Sequence, residues 1–283
     1  MLEKLISFLE SRPILNLILI LIYTITIVSL HDFMVQQSIA VMNALGLDFY
    51  NTIVAYGSLI LGVLLIIYVA FKLLNNKNEL GKKLFFLGST LILMFFHFHF
   101  MFEMNIEIIH SLQYGILGFL LFPFSRKIGA AVVLSLPIML LDEWYQYQVL
   151  YPGYVEYFEF NDIIMNIFGL TLLCIILWIS GVKHNVSATA IYKRWDFKLL
   201  LGYITLTTIL LISSIIVFFP ENQTEQTWLI LNQMEERGEF WITHKFSGAV
   251  YHVLSPVESF IGMVGLSLFY MLADFKWGKP NIQ

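Results

Sequence analysis

Apolar side chains form long, nearly uninterrupted runs along this chain, and polar residues gather between the runs. A helix that crosses a bilayer needs about 20 predominantly apolar residues, because each residue adds only about 1.5 Å of length. Eight runs meet this requirement, near 13–30, 51–74, 84–102, 106–124, 127–147, 162–182, 198–219 and 255–274. The pattern predicts an all-α, polytopic integral membrane bundle of about eight transmembrane helices.

The composition agrees with this class. Of the 283 residues, 58% are hydrophobic and only 13% are charged, with a mean hydropathy of +0.77. Soluble domains average about 25% charged residues, so most side chains here are expected to avoid water. No region is basic enough to predict a nucleic-acid partner. The first run lacks a small-residue cleavage site, so we interpret it as a retained helix.

The basic residues are distributed unequally between the two sides of the predicted bundle. Of the 16 Lys and Arg residues, only Arg237 and Lys245 fall on one side in an eight-span arrangement. The other side carries Lys4, Arg12, Lys72, Lys77, Lys82, Lys83, Arg126, Lys127, Lys183, Lys193, Arg194, Lys198, Lys276 and Lys279. Because cytoplasmic loops carry an excess of Lys and Arg, both termini are predicted to be cytoplasmic.

Two connections on the acidic side are long enough to have structure of their own. Residues 33–47 are predicted to form a helix that lies on the membrane surface. The outer loop at 220–253 alternates apolar with polar residues, which favours an interfacial helix. Its apolar residues are Trp228, Leu229, Leu231 and Met234.

Polar residues within the spans are the candidate functional residues, because ionisable groups in a membrane are costly and usually face a bundle interior. In the fourth span, Glu103, Glu107, His110 and Tyr114 are spaced by 4, 3 and 4 residues, which places them on one helical face.

Two neighbouring spans carry similar groups. Asp142, Glu143 and Gln146 lie at the end of the fifth span, and Asp162 and Asn166 lie at the start of the sixth. At about 1.5 Å per residue, His110, Glu143 and Asn166 are all about 6 Å below the same surface. We therefore expect the three faces to share one pocket.

Such a pocket has several possible roles. It is a candidate metal site, acid–base pair or headgroup pocket, and the alternative is a network of hydrogen bonds that only ties the helices together. His110, Glu143 and Asp162 are the candidate catalytic residues and the candidate ligands of a divalent metal. The candidate binding residues are Glu107, Tyr114, Asp142, Gln146 and Asn166. His97 and His99 diverge by about 200° around their helix, so at most His97 can join the site.

Three segments of the chain together resemble the VanZ-like membrane family, named for the teicoplanin resistance protein. They are His110-Ser-Leu-Gln-Tyr-Gly-Ile-Leu-Gly118, Leu141-Asp-Glu-Trp-Tyr-Gln146 and Asp162-Ile-Ile-Met-Asn-Ile-Phe-Gly169. The resemblance covers roughly 84–182. One departure is that family members usually carry an Arg before the Asp motif, where this chain has Tyr154-Val-Glu-Tyr-Phe-Glu159.

The resemblance implies a multi-pass protein of the bacterial cytoplasmic membrane with a role in the cell envelope and, by its naming member, in glycopeptide antibiotic resistance. We treat 1–283 as a single membrane domain, with the VanZ-like core at 84–182 and flanking helices at 13–74 and 198–274. The expected function is to bind or modify a lipid-linked or amphipathic molecule at the outer leaflet. Membrane lipids, a lipid-linked envelope precursor or a lipoglycopeptide are the expected partners. The sequence leaves open whether the protein is an enzyme; a metal-dependent membrane hydrolase and a transporter or scramblase are the alternatives.

Overall fold

The chain folds into an all-α membrane bundle in a computed structural model that describes residues 1–103, 105–153, 156–234, 240–243, 248 and 250–276. The α-helices in these ranges are α1 (Leu2–Glu10), α2 (Pro13–Leu45), α3 (Leu47–Asn75), α4 (Leu80–Met101), α5 (Ile109–Leu121), α6 (Ile128–Tyr145), α7 (Phe160–Ile179), α8 (Trp195–Ile212) and α9 (Pro256–Ala273). A 3₁₀ turn at Asn105–Ile108 leads into α5, and a π-helical turn at Gln146–Leu150 extends α6.

Within the described residues, eight helical segments are long and apolar enough to cross a membrane, which confirms the predicted number of spans. All but α1 of the nine helices contribute one span each. The last two spans end earlier than the sequence suggested, and α8 stops at Ile212 instead of continuing to 219. The protein is therefore a multi-pass membrane protein.

Helix α7 forms the centre of the bundle. It is buried along almost its whole length and packs against α4, α5, α6 and α9. By contrast, α3 and α8 expose apolar side chains such as Leu59, Ile66 and Ile209 around most of their surface. Apolar side chains on a membrane-spanning helix contact lipid without cost, so these two helices lie at the periphery.

The predicted surface helix at 33–47 does not exist as a separate element. Residues 33–45 are the last part of α2, whose 33 residues span about 50 Å, well beyond a hydrocarbon core of about 30 Å. The helix continues because no proline or glycine interrupts it before Gly46. There the chain turns into α3 with a φ of +87°, a backbone conformation that glycine adopts readily.

The interfacial helix predicted within 220–253 is wrong. Leu229–Ile230 (β2) pairs in parallel with Ile216–Val217 (β1), and Trp241–Thr243 (β3) pairs antiparallel with Val250–His252 (β4). The amide of Phe158 also donates to the carbonyl of Leu231, at 2.9 Å. Alternation of apolar and polar residues matches the two-residue period of a strand. The backbone partners named above provide the hydrogen bonds that a strand requires.

The end of the bundle that carries most basic residues is held by ion pairs around the buried guanidinium groups of Arg126 and Arg194. Arg126 donates to Glu3 and Glu10 at 2.7 Å each and to Ser7 at 2.8 Å, so it fixes the short helix α1, which the sequence pattern did not predict. Helix α1 buries Ile6 and Leu9 on its other face.

Asp274, just after α9, is the second centre at this end. It accepts hydrogen bonds from the backbone amides of Ile128 and Gly129 at 2.7 and 2.9 Å, and from Arg194 at 3.0 Å. His184 Nε2 lies 2.8 Å from the same carboxylate, and Arg194 also pairs with Asp196. These contacts tie the ends of α6, α8 and α9 together.

The sidedness of the bundle stays a prediction. The structure brings Lys82, Arg126, Lys183 and Arg194 to one end, as the eight-span arrangement requires. Arg237, Lys245 and Lys279, which also entered the charge argument, lie outside the described residues.

Candidate functional site

Close packing of α5 against α7 places the polar residues of both helices next to each other. A Cβ on Gly118 would lie 2.8 Å from the carbonyl oxygen of Leu170, and a Cβ on Gly169 would overlap the backbone of Ser111. Small residues at such positions let two membrane helices approach until their backbones touch. The start of α7 is consequently brought against the start of α5.

Glu107, His110 and Asp162 meet at this contact. His110 Nε2 lies 3.6 Å from Glu107 Oε2 and 3.6 Å from Asp162 Oδ2. One donor atom from each residue lies within 4.8 Å of the donors of the other two. Glu107 belongs to the 3₁₀ turn before α5 instead of a continuous helix, yet its spacing of three residues from His110 still brings the two side chains together.

Glu143, the candidate acid or base of α6, is buried behind this group. Only 1% of Glu143 is exposed, and neither of its carboxylate oxygens has a hydrogen-bond partner among the described residues. Its strongest electrostatic neighbours are Asp162, Asp142, Glu159 and Glu107. The carboxylates of three helices therefore come together at one end of the bundle.

Unsatisfied amide and imidazole groups accompany Glu143. Asn166 is fully buried, and within the described part of the chain neither its Oδ1 nor its Nδ2 has a partner. Gln146 Nε2 and His110 Nδ1 are likewise buried without a partner there. Buried polar groups in proteins are normally hydrogen-bonded, so this concentration of exceptions indicates a polar ligand, ion or water.

Asp142 has a different environment from its neighbour Glu143. Tyr114 donates a 2.8 Å hydrogen bond from its hydroxyl to Asp142 Oδ2, which links α5 to α6. The π-helical turn at Gln146–Leu150 begins only three residues after Glu143, and such turns are frequent at functional sites. Asp142 and Tyr114 thus form a fixed pair beside a less constrained Glu143.

A cavity of about 150 Å³ opens next to Glu107 and Asp162. Acidic, aromatic and a few other side chains line it, from α4, the 3₁₀ turn before α5, the start of α7, the connections and β4. They are Met101, Phe102, Glu103, Glu107, Tyr157, Glu159, Asn161, Asp162 and Tyr251. The hydroxyls of Tyr157 and Tyr251 lie 3.1 Å apart. Glu107 and Asp162 therefore contact an accessible cavity in addition to the other polar residues of the site.

Several residues of this region were not singled out by the sequence. Glu159, Tyr157 and Tyr251 line the cavity although they belong to connections and a strand. On α2, the ring of His31 lies 6.3 Å from that of His110. The signal for Glu159 was its position three residues before Asp162, but nothing in the local sequence places Tyr251 or His31 here.

The two histidines of α4 behave as their spacing predicted. His97 is buried and donates from Nε2 to the backbone oxygen of Asn161 at 2.8 Å, whereas His99 is exposed and stacks on Phe95. Asn161 in turn donates to the carbonyls of Met101 and His252. His97 therefore positions the start of α7 and is not part of the group formed by Glu107, His110 and Asp162.

Four of the described residues that line the cavity are acidic, and none of them is a Lys or Arg. Two like charges about 5 Å apart repel by about 3 kcal/mol at an effective dielectric constant of about 20. Burial, followed by the charges of Asp162 and Glu107, raises the pKa of Glu159 well above its usual range. The site is therefore built to take up protons or another cation.

The donors also suit a metal ion. Two ligands that are each about 2.1 Å from one tetrahedral ion are separated by about 3.4 Å, close to the 3.6 Å separations of His110 from Glu107 and Asp162. Carboxylate oxygens with one imidazole fit Mn²⁺, Fe²⁺ or Zn²⁺. Asn166, Gln146 and Asp142 lie outside this donor group.

Comparisons of the chain with protein-family models, with curated proteins and with solved structures gave no match.

Proposed function

We propose that this chain is a VanZ-like envelope protein of the bacterial cytoplasmic membrane that binds and chemically modifies the polar head of an amphipathic or lipid-linked molecule. The observation that carries the proposal is the buried carboxylate of Glu143, which has no hydrogen-bond partner among the described residues and lies near Glu107, His110 and Asp162. A network that served only to join helices would satisfy its own hydrogen bonds. Lipid-linked precursors and lipoglycopeptides belong to the class of molecule that the resemblance suggests.

The roles follow from the surroundings of each group. Glu143 or Asp162 transfers a proton, because both are carboxylates that burial and neighbouring charges allow to exist in either state. Asn166 and Gln146 donate hydrogen bonds to the polar head, since their amides have unused capacity. Tyr114 and Asp142 hold α5 and α6 in register.

The first experiment replaces the candidate acid or base. Glu143→Gln and Asp162→Asn keep the size and hydrogen-bonding capacity of the side chains but remove the titratable groups. Loss of a general acid or base typically lowers a rate by about 10²–10⁴-fold. The measurements are glycopeptide sensitivity of an expressing host and its envelope lipids by mass spectrometry, at matched protein levels.

Glu156→Gln is the matched control, because this exposed glutamate lies in the same connection as Glu159 but does not line the cavity. It should leave activity unchanged. Full activity in both Glu143→Gln and Asp162→Asn would refute the proposed function and leave the cluster as structural contacts.

A metal-dependent membrane hydrolase is the second candidate function. The specific observation in its favour is the geometry of Glu107 Oε2, His110 Nε2 and Asp162 Oδ2. A bound ion would neutralise two of the carboxylates and polarise a water molecule or an ester oxygen of the substrate. His110→Ala and Glu107→Gln should then lower the metal content of the purified protein.

His99→Ala is the control for this measurement, because His99 faces outward on α4. Elemental analysis should find about one divalent ion per chain in the wild type and in His99→Ala, and much less in His110→Ala. Metal-free wild-type protein that retains full activity would exclude the hydrolase.

The sidedness of the site is tested independently. Glu225 is exposed in the loop between β1 and β2, so a cysteine there is accessible to reagents. In a Cys174→Ser background, Glu225→Cys should react with a membrane-impermeant thiol reagent on intact cells. Reaction only after lysis would put the acidic end in the cytoplasm and exclude an outer-leaflet substrate.

A further inference from the structure

The cavity beside Asp162 is acidic on several sides. Glu103, Glu107, Glu159 and Asp162 all line it, and none of its described lining residues is a Lys or Arg. A group with negative charge would be repelled here unless it brought a cation with it. The cavity thus selects against a bare phosphate or carboxylate.

Aromatic rings form much of the remaining wall. Phe102, Tyr157 and Tyr251 line the same cavity, and the 3.1 Å contact between the two tyrosine hydroxyls joins two separate connections of the chain. The face of an aromatic ring attracts ammonium groups, and protein sites for quaternary ammonium compounds commonly combine several rings.

A separate observation concerns Glu143 of α6. Glu143 does not line the cavity, but it is 99% buried and its carboxylate has no hydrogen-bond partner among the described residues. Its electrostatic neighbours include the lining residues Asp162, Glu159 and Glu107, so a cation in the cavity would also favour the ionised form of Glu143. The volume of about 150 Å³ admits one group of roughly benzene size, about six non-hydrogen atoms.

We propose that this cavity binds the alkylammonium group of the substrate's polar head. The proposal names the substrate class of the proposed function and rests on it for the claim that the molecule is amphipathic. A metal ion held by Glu107, His110 and Asp162 would leave Glu159 to contact the ammonium group. The ligand class is therefore a primary or quaternary amine on a small, flexible head.

Direct binding tests the proposal without any variant. The purified full chain in nanodiscs is titrated calorimetrically with ethanolamine and with choline, each as the chloride salt. The neutral isostere 3,3-dimethylbutan-1-ol matches choline in shape and lacks its charge. Saturable binding of an ammonium probe, with at least about tenfold weaker binding of the neutral compound, is expected because charge contacts carry the recognition. Equal binding of the neutral compound, or no binding of either ammonium probe, would overturn the proposal.

Variants then assign the contacts. Glu159→Gln should weaken ammonium binding about tenfold, whereas Glu156→Gln, in the same connection but outside the cavity, should not change it. Tyr157→Leu removes a ring face and should weaken binding about fivefold, whereas Tyr157→Phe keeps the ring and should retain it. Intrinsic fluorescence and gel filtration check that each variant is folded. Equal effects of Glu159→Gln and Glu156→Gln would contradict the assignment.

The source of the ammonium group is distinguished by the lipid. Nanodiscs of phosphatidylethanolamine should weaken the apparent binding of soluble ethanolamine relative to nanodiscs of phosphatidylglycerol if the natural ligand is a lipid head. Unchanged binding would support the same site with a water-soluble ammonium ligand. Loss of activity in Glu143→Gln without any ammonium binding to the wild type would refute this inference and leave the proposed function. Ammonium binding with full activity of Glu143→Gln and Asp162→Asn would refute the proposed function itself.

Discussion

The two ends of the bundle both bury charged side chains, but they treat them differently. At the basic end, Asp274 accepts hydrogen bonds from two backbone amides and from Arg194, and Arg126 is paired with Glu3 and Glu10. At the acidic end, Glu143 is just as buried and has no hydrogen-bond partner among the described residues.

This difference separates structural charges from functional ones. A buried ion pair whose members are fully hydrogen-bonded has no capacity left for a ligand, and removing one member leaves the other uncompensated. A cluster of like charges stabilises nothing by itself and gains energy only when a cation or proton joins it. Proteins commonly sacrifice stability at functional sites in this way.

The largest expected effect is a loss of stability on removal of Asp274 at the basic end. Asp274→Ala removes the acceptor for Arg194, His184 and the amides of Ile128 and Gly129, so it should destabilise the protein by about 3–5 kcal/mol. Glu143→Gln at the acidic end should leave stability unchanged or raise it, because the Glu143 carboxylate makes no hydrogen bond to a described residue that the amide would lose. The measurement is unfolding of both variants in the same detergent, followed by intrinsic fluorescence.

The comparison fails if the two variants respond alike. Asp274→Asn serves as the control, because its amide oxygen still accepts from a backbone amide while the charge is lost, and it should fall between the wild type and Asp274→Ala. A large loss of stability in Glu143→Gln would show that the acidic cluster is also structural.

A smaller effect is expected where α5 meets α7. Gly169→Ala adds a Cβ against the backbone of Ser111, and such overpacking typically costs about 1–3 kcal/mol. It should also separate His110 from Asp162 and reduce metal content or ammonium binding. Gly202→Ala on α8 is the matched control, because no atom lies within 4 Å of its added Cβ.

For Gly202→Ala, stability should be unchanged or higher by up to about 1 kcal/mol, since alanine favours a helix over glycine. Thermal unfolding and elemental analysis of the two variants give the comparison. A stable Gly169→Ala protein with an intact site would mean that the close contact of α5 and α7 does not position the donors.

Much of the fold could be predicted because membrane helices leave a strong local signal. Apolar runs of sufficient length gave the eight spans, and the helical period separated the buried His97 from the exposed His99. The prediction of a helix at 220–253 was wrong, because residues of this segment pair instead with the backbone of residues 216–217 and 156–158. No local pattern indicates which distant backbone will provide those hydrogen bonds.

The candidate site was predictable to the extent that it lies on helices. Glu107, His110 and Asp162 could be brought together by spacing and depth alone, and the structure has them adjacent. The sequence could not predict that Tyr251 and His31 lie here, because their positions depend on a strand pairing and on the packing of α2. The Arg194 and Asp274 contact was likewise missed, since 80 residues separate the two partners.

The smallest expected effect concerns α1 at the basic end and depends on pH. Burial acts to raise the pKa of Glu3, but the Lys183 backbone amide, Arg126 and Ser7 favour the carboxylate more strongly and lower the pKa below 4.5. A lowered folded pKa means that the contact stabilises the folded state fully above the unfolded value of 4.5 and loses this contribution as pH falls through the folded pKa.

Helix α1 should therefore loosen on acidification below about pH 4.5, without unfolding of the bundle, because partly exposed ion pairs contribute only about 0–1 kcal/mol. A spin label at the exposed Leu5, introduced as Leu5→Cys in a Cys174→Ser background, should gain mobility as the pH falls. Glu3→Gln removes the titrating group, so this variant should have a mobile α1 at every pH and a nearly flat profile. A pH profile identical to that of the unsubstituted Glu3 protein would assign the acid response to a group other than Glu3. The basic end would then owe the position of α1 to the buried side chains of Ile6 and Leu9 more than to the contact of Glu3 with Arg126.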